Sequence, residues 1–256
     1  MPDLTRARSS VRTAVVWEAL RPALDDLLVA GGRTELDVLD IGGGTGGFAV
    51  PLAQAGHRVT VLDPSPDALA ALGRRVAEAG VAAQVHAVQG DADNLTAVLP
   101  SRDGATEQFD LVLCHGVLEH TDDPAGALAA AVAALRPGGV ASLLVANRNA
   151  LVFARAVTGH LAAARHALED PAGRWGAQDP LPRRFDPEEF LALVRAAGAR
   201  VLATHGVRVF SDLVPSSVIE GEVLAREELV ALESAVAEHP AFRAIATQLH
   251  VLAARA

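Results

Sequence analysis

Several residue types are missing, or nearly missing, from this chain of 256 residues. It contains no lysine and no tyrosine, and it has a single cysteine. One cysteine excludes an internal disulfide and any metal site built from several cysteines. Cys114 lies in the apolar run 111–114, which predicts an inert buried thiol rather than a nucleophile.

The absence of lysine leaves arginine as the source of all 22 basic side chains. Acidic residues number 31, so the formal net charge is −9 and the isoelectric point is about 5.4. Proteins that bind nucleic acid broadly have basic surfaces, and this balance argues against such a surface. It does not exclude a local site lined by arginine.

Long apolar segments are also lacking. The sequence has no run of about 18 uncharged apolar residues and no apolar segment of the signal-peptide type near its start. We therefore expect a soluble cytoplasmic protein with no membrane partner. Hydrophobic residues make up 50% of the chain, which is enough for the core of one α/β domain spanning residues 1–256.

The order of predicted elements indicates an α/β fold. After an amphipathic helix over residues 8–30, apolar strands alternate with helices, which predicts a mostly parallel sheet of seven strands with helices on both faces. The N-terminal helix would cap this sheet. Two stretches, 147–185 and 211–246, interrupt the alternation and are interpreted as insertions in the one domain. Strands are predicted at 36–41, 58–62, 83–88, 109–114, 139–146, 199–209 and 247–255, and helices near 47–55, 66–79, 124–135, 186–197 and 226–238.

The most informative segment, 36–47, is a strand followed by a glycine-rich loop. Glycines permit positive φ and let a ligand lie against bare backbone. Residues 42–47 fit the dinucleotide pattern G-x-G-x-x-G, while residues 40–46 fit the D/E-x-G-x-G-x-G loop of S-adenosylmethionine (AdoMet) methyltransferases. The carboxylate of Asp40 suits the cationic methionine end of AdoMet and would repel a pyrophosphate, so AdoMet is favoured. A purely structural turn is the third alternative.

Two further acids follow the next two strands. Asp63 ends the second strand about 20 residues beyond the loop, a position from which it would accept hydrogen bonds from both ribose hydroxyls. Its alternative role is to cap the helix that begins near Pro66. After the third strand, Gly-Asp-Ala at 90–92 resembles the adenine-contacting motif of class I methyltransferases, which implies that Asp91 and Ala92 contact adenine through the acid and a backbone N–H. The alternative for Asp91 is an N-cap.

The fourth strand leads into residues 115–120, which include two histidines. With Glu119, they raise the possibility of a metal site or a general base. His115 and His120 are five residues apart with no further set of ligands nearby, so we expect no metal. A general base is left open, because only some methyl acceptors need to lose a proton.

Four motifs in order resemble those of class I AdoMet-dependent methyltransferases. They are the glycine loop, Gly-Asp-Ala at 90–92, Phe-Asp-x-Val at 109–112 and the segment 134–139. Other stretches resemble the tRNA 5-carboxymethoxyuridine methyltransferases, which convert the carboxylate of a modified wobble uridine into a methyl ester. That closer resemblance rests on residues 11–20, 39–44, 115–119, 135–140, 147 and 206–212.

The resemblance implies an AdoMet site and assigns residues to it. Those residues are Arg12 at the AdoMet carboxylate, Gly42 and Gly43 at the methionine end, Asp63 at the ribose, Asp91 and Ala92 at the adenine, and His115 along the cofactor. Asp40 and Gly44 join this set from the loop pattern itself.

The leading hypothesis for the reaction is methyl transfer to a carboxylate on tRNA. A carboxylate, with a pKa of about 4, is already ionised at neutral pH and needs no base. An arginine would position it, and Arg208 is the main candidate, with Arg183 and Arg184 as weaker ones. The structural alternative for Arg208 is an ion pair with Asp212.

Two other functional classes are weighed beside the tRNA hypothesis. A small-molecule O- or N-methyltransferase of the same fold would draw its base from His115 or His120. A non-catalytic domain that binds AdoMet or NAD is the third hypothesis.

Overall fold

The computed structural model describes residues 13–99, 101–102, 105–106, 108–215 and 223–255. The predicted N-terminal helix is present within this part of the chain as α1 (Ala14–Gly31). It is capped at its carboxyl end by Gly32, which adopts the left-handed conformation with φ 57°. Arg12 lies outside the described residues, so its expected contact with the cofactor stays a prediction.

The central sheet is built from seven strands, as the sequence predicts. Its strand order is β3-β2-β1-β6-β7-β9-β8. The pairings β3–β2, β2–β1, β1–β6 and β6–β7 are parallel, while β9 runs antiparallel to both β7 and β8. These strands are β1 (Asp37–Ile41), β2 (Arg58–Asp63), β3 (Val85–Gln89), β6 (Phe109–His115), β7 (Leu135–Ala146), β8 (Ala199–Val207) and β9 (Gln248–Arg255); β4 (Ser101–Arg102) and β5 (Ala105–Thr106) form a separate hairpin.

Helices cover both faces of the sheet. One face packs α5 (Pro124–Ala133) and α8 (Pro187–Ala196) against residues such as Val112 and Cys114. The other face packs α1, α2 (Ala49–Gln54) and α3 (Pro66–Glu78) against residues such as Leu113. Cys114 is buried as predicted, and burial raises the pKa of its thiol well above the ordinary value. The remaining helices are α4 (Leu95–Val98), α6 (Arg148–Val157), α7 (Leu161–Glu169), α9 (Val223–Val236) and α10 (Pro240–Arg243).

The strand order reverses direction between β1 and β6. From β1 the chain moves outward through β2 to β3, and it then returns to place β6 on the other side of β1. Such a switch point opens a crevice at the carboxyl ends of the strands, where ligands bind in doubly wound sheets. The glycine loop and Gly116 follow β1 and β6 directly, so both lie at this crevice.

The first insertion, 147–185, is closed at its base by backbone hydrogen bonds. Arg148 N–H donates to the Phe185 carbonyl at 2.9 Å, and Phe185 N–H donates to the Ala146 carbonyl at 2.9 Å. These bonds tie both ends of the insertion to the carboxyl end of β7. Helix α6 (Arg148–Val157), which begins at this base, therefore starts beside the carboxyl end of β7.

Candidate active site

The glycine loop adopts left-handed backbone at alternate positions. Gly42, Gly44 and Gly46 have φ values of 67°, 54° and 82°, a region that side chains rarely tolerate. Gly47 does not share this conformation, and a Cβ placed there would meet nothing within 4 Å. A Cβ on Gly46 would instead overlap Leu72 Cδ1 of α3. The backbone thus requires glycine at 42, 44 and 46, the spacing of the AdoMet pattern, and not at 47.

Bare backbone in this loop also lies against neighbouring side chains. A Cβ on Gly42 would overlap Val117 Cγ2. A Cβ on Gly43 would lie 2.6 Å from Asp40 Oδ2 and 2.9 Å from Val61 Cγ1. The loop therefore packs tightly over the carboxylate that precedes it.

Asp40 is enclosed under the loop. Its Oδ2 atom is buried and has no hydrogen-bond partner among the described residues. Burial raises the pKa of Asp40 to about 7, and the neighbouring charge of Asp63 adds to the increase. An unpaired buried carboxyl of this kind is stabilised as an anion when a cation comes close.

Asp63 connects the second strand to the loop. Its Oδ2 accepts the Gly44 N–H at 2.9 Å, and its Oδ1 accepts the Ser65 N–H at 2.9 Å. The cap of α3 is Ser65, whose Oγ accepts the Ala68 N–H at 3.2 Å. The capping role considered for Asp63 therefore belongs to Ser65, and Asp63 faces the loop.

Asp91 does cap a helix, which was the alternative role considered for it. Its Oδ1 accepts the Asp93 N–H at 3.0 Å, at the start of the 3₁₀ turn Ala92–Asn94. Each carboxylate oxygen has more than one lone-pair site, so this bond leaves Asp91 able to accept others.

A first cleft of about 250 Å³ runs along the ends of β1, β2, β3 and β6. It brings together four residues that the sequence assigned to the cofactor, namely Gly42, Asp63, Asp91 and Ala92. His120 also borders it, whereas His115 does not. The full lining is Ile41, Gly42, Leu62, Asp63, Pro64, Gly90, Asp91, Ala92, Gly116, Val117, His120 and Thr121.

A second cavity of about 490 Å³ adjoins the first, and the two share Gly116. Its lining includes both polar and apolar side chains, and the first insertion supplies residues of both kinds. The polar side chains are Glu119, Asn147, Arg184, Arg208, Asp212, Thr247 and Gln248. The larger apolar ones are Leu151, Phe153, Leu181, Val209, Leu213 and Ile245.

Arg208 borders the second cavity in a strained conformation. Its φ is 61°, and it is the only non-glycine residue with positive φ in the described part of the chain. Its Nε and Nη2 donate to Asp212 Oδ1 at 3.2 and 2.6 Å. Arg208 thus forms the ion pair with Asp212 that was its structural alternative, and it also lines the second cavity, while its role toward an acceptor stays a prediction.

The other two candidate arginines diverge. Arg184 lines the second cavity and donates to both oxygens of Asp179, at 2.7 and 3.1 Å. Arg183 donates to the Thr121 carbonyl at 3.2 Å and lines neither cavity.

Glu233 holds the segment after Arg208, and sequence reasoning missed it. This side chain of α9 is fully buried, and its two oxygens accept the backbone N–H groups of Val209, Phe210 and Ser211 at 2.8, 2.9 and 2.7 Å. It therefore fixes the backbone that presents Arg208. In the sequence it is one acid among several in a charged helix, with no signal to single it out.

His115 belongs to a row of polar side chains across one face of the sheet. Its Nε2 lies 2.8 Å from Ser142 Oγ, which lies 2.8 Å from His250 Nε2, and His250 Nδ1 lies 3.1 Å from His205 Nδ1. Burial lowers the pKa of His115 to about 4, so the ring is neutral at physiological pH. The side chain lines neither cavity, although Gly116 beside it lines both.

Two negative expectations concern metals and membranes. Within the described ranges, no group of three His, Cys, Asp or Glu side chains is arranged to hold a metal ion. In the same part of the chain, no helix is long and apolar enough to cross a bilayer.

Comparison with known proteins agrees with this geometry. Residues 39–141 match a family model described as a methyltransferase domain. The chain is 32% identical over 181 residues to the ubiquinone biosynthesis O-methyltransferase of Xanthomonas euvesicatoria pv. vesicatoria, covering 71% of this chain and 68% of that one. The chain belongs to the class I AdoMet-dependent methyltransferases. AdoMet is accordingly its cofactor.

Two further matches extend over nearly the whole methyltransferase. It is 28% identical over 246 residues to the tRNA 5-carboxymethoxyuridine methyltransferase of Escherichia coli K12, covering 96% of this chain and 88% of that one. The crystal structure of magnesium protoporphyrin IX methyltransferase from Synechocystis PCC 6803, with bound SAH, superposes with a TM-score of 0.58 at 15% identity. That superposition covers 98% of this chain and 92% of the other, and it supports the fold.

The first cleft fits AdoMet at its cationic end. The unpaired Oδ2 of Asp40 lies beneath the glycine loop. Because Gly42 and Gly43 have no Cβ, the backbone of the loop packs directly against Val117 and Asp40. A cation close to this loop would stabilise the Asp40 anion without direct contact, because charges interact strongly in a poorly solvated site.

AdoMet binding by this methyltransferase should depend on pH through Asp40. Below a pKa of about 7 the carboxyl of the free protein is largely protonated, and binding a cation favours its ionised form. Binding should therefore release a proton, and affinity should rise with pH, approaching tenfold per unit in the range of about pH 5.5 to 7. The α-amino group of AdoMet has an ordinary pKa of about 7.7–8.0, so it stays protonated over this pH range and should not cause the change in affinity.

Calorimetry in buffers of different ionisation enthalpy would measure both the affinity and the released proton. Asp40→Asn should flatten the pH profile, because its amide has no proton to lose. A wild-type affinity that does not change across this range would show that Asp40 does not sense the cofactor.

Proposed function

We propose that this methyltransferase esterifies the carboxylate of 5-carboxymethoxyuridine at the wobble position of tRNA. The observation that carries the proposal is the second cavity, which joins the first cleft at Gly116 and presents the cationic side chains of Arg184 and Arg208. A carboxylate acceptor needs a cation to orient it. The 28% identity over 96% of the chain to a tRNA 5-carboxymethoxyuridine methyltransferase supports the same acceptor.

The first cleft is proposed to hold AdoMet along its length. Asp40, Gly42, Gly43 and Gly44 would surround the methionine end, and Asp63 would accept from the ribose hydroxyls. Asp91 and Ala92 would flank the adenine, and Arg12 would reach the AdoMet carboxylate. The positions of Gly42, Asp63, Asp91 and Ala92 along the cleft support this assignment, whereas the role of Arg12 rests on the family resemblance alone.

Alignment and desolvation are the protein's contribution to this reaction. AdoMet supplies a methyl group on a sulfonium, which is already reactive toward nucleophiles. Arg208, whose Nε and Nη2 already donate to Asp212, would hold the acceptor carboxylate through its Nη1/Nη2 edge, and less exposed apolar side chains such as Leu151 and Val209 would keep water away from it. No base is required, which agrees with the placement of the neutral His115 outside both cavities.

The first insertion offers a local surface for an anionic partner. Residues 147–185 contain six arginines and three acids, although the whole chain has a net charge of −9. The Arg155 guanidinium lies 4.2 Å from the centre of the Trp175 ring, and Phe153 of the same helix is exposed. Arginine together with exposed aromatic rings is a surface suited to a phosphate backbone and unstacked bases.

A second candidate acceptor is a small apolar molecule with a hydroxyl group. The apolar wall of the second cavity favours it, and so does the 32% identity to a ubiquinone biosynthesis O-methyltransferase. A hydroxyl acceptor would need a general base, and of the two predicted histidines only His120 borders a cleft.

The two acceptors can be separated with the purified protein. Incubation with labelled AdoMet and tRNA that contains unesterified 5-carboxymethoxyuridine should yield the methyl ester, detected by mass spectrometry of nucleosides. A catechol acceptor tested in parallel should stay unmethylated. Methylation of the catechol with no ester on tRNA would reject the proposal.

Binding of tRNA should weaken steeply with salt and should depend on the insertion. Arg155→Gln and Arg174→Gln should each lower tRNA affinity and reduce the slope of log affinity against log salt by up to about one. Arg200→Gln is the matched control, because Arg200 lies near the start of β8, away from the carboxyl ends of the parallel strands. An equal effect of all three variants would indicate that the insertion is not the docking surface.

A further inference from the structure

The second cavity contains a carboxylate whose hydrogen bonding is incomplete. Glu119 follows β6, and its Oε1 accepts the Ala146 N–H at 2.7 Å. Its Oε2 is buried and has no hydrogen-bond partner among the described residues. The residue is only 3% exposed, yet it lines the cavity with Arg184 and Arg208.

A buried carboxylate oxygen without a partner is costly, because it has lost water and gained nothing in exchange. Burial raises the pKa of Glu119, which is consistent with an anion that lacks a donor. The backbone N–H groups of Glu119 itself and of Ala146, together with the charges of His120 and Arg184, oppose this increase in the pKa without removing it. A donor brought by a ligand would complete the set.

We propose that Glu119 Oε2 accepts a hydrogen bond from an N–H group of the methyl acceptor and thereby selects the base to be modified. This inference rests on the proposed function. A uracil ring with a carboxymethoxy group at C5 has one ring N–H, at N3, and otherwise presents carbonyl oxygens and the carboxylate. The cavity offers matching groups, with arginines for the anionic group and Glu119 Oε2 for the N–H, since the other lining carboxylate, Asp212, is already paired with Arg208.

Glu119→Gln separates this role from a structural one. The glutamine carbonyl can still accept the Ala146 N–H, while the amide NH₂ takes the place of Oε2 and can no longer accept. We expect unchanged AdoMet affinity and melting temperature, together with a rise of at least tenfold in KM for the tRNA. Asp122→Asn is the matched control, because it removes an exposed carboxylate from the same loop.

A synthetic anticodon stem-loop containing 5-carboxymethoxyuridine, with or without a methyl group on N3, provides the decisive readout. Methylation of N3 should lower kcat/KM at least tenfold for the wild type and much less for Glu119→Gln. Equal discrimination by both proteins would overturn the inference. So would a variant that loses stability and AdoMet affinity without any change in discrimination, because Glu119 would then be structural.

Failure of the proposed function has a different signature. In that case neither the wild type nor Glu119→Gln forms an ester on either stem-loop. If the wild type instead methylates a hydroxyl and Glu119→Gln abolishes kcat along with its pH dependence, Glu119 is a general base and the N–H inference is overturned.

Discussion

Gly42→Ala should lower AdoMet affinity by about a hundredfold or more, whereas Gly47→Ala in the same loop should leave it unchanged. At position 42 the backbone has φ 67°, and an added Cβ would overlap Val117 Cγ2 at the edge of the first cleft. A left-handed non-glycine residue costs about 1–3 kcal/mol, and the loop must also move to relieve the overlap. Either change displaces backbone that the cofactor is expected to approach.

The two variants are closely matched, since each adds one methyl group to the loop that follows β1. At Gly47 the added Cβ has no neighbour within 4 Å and the backbone is not left-handed. Calorimetric titration with AdoMet, and the melting temperature with and without it, would measure both effects. Comparable losses in the two variants would mean that the spacing 42-44-46 has no special role in cofactor binding.

This contrast shows what the sequence could and could not determine about the loop. Both glycine patterns use Gly42 and Gly44, so among their glycines they differ only in whether Gly46 or Gly47 is the third required one. Charge favoured the AdoMet pattern through Asp40, but the decisive facts are the φ of Gly46 and the position of Leu72. Those facts depend on how α3 packs against the loop, which no local pattern encodes.

The central strands β1 and β6 were predictable because buried parallel strands are mostly apolar, whereas the edge strand β3 is largely exposed and mixes polar with apolar residues. The main errors lie at strand ends, where tertiary contacts decide. The last predicted strand before the second insertion was placed at 199–209, but β8 ends at Val207 because Arg208 turns to φ 61°. The strand predicted at 139–146 begins earlier, at Leu135, where its pairing with Phe109 precedes a register shift.

The second cavity was not predictable from the sequence. Its wall combines the end of β7, both insertions and the loop after β6, and these segments are far apart in the chain. Arg183 and Arg184 are adjacent and chemically identical, yet only Arg184 reaches the cavity. Glu233 and Glu119 act through contacts with distant backbone N–H groups, and such contacts leave no periodic trace in a sequence.

Arg208→Lys should reduce turnover by about tenfold or more while AdoMet affinity stays unchanged. Lysine keeps the charge but cannot bind a carboxylate with two parallel N–H donors. Arg165→Lys is the matched control, because Arg165 is exposed on α7 and does not line either cavity. Turnover of tRNA at the wild-type rate by Arg208→Lys would remove Arg208 from the acceptor site.

Arg208→Gly tests whether the ion pair with Asp212 is the main role of this residue. Glycine accepts φ 61° without strain, and removing the strain offsets the loss of a partly exposed pair, which contributes only about 0–1 kcal/mol. The melting temperature should therefore stay close to that of the wild type, while turnover should fall by about a hundredfold. A large drop in melting temperature, with normal turnover per folded molecule, would assign Arg208 to the structure alone. The hydrogen bonds from Val209, Phe210 and Ser211 to Glu233 hold the backbone next to Arg208 in place, whereas the ion pair with Asp212 contributes little to stability. Normal stability with lost turnover would therefore indicate that the strained position serves to present the Arg208 side chain.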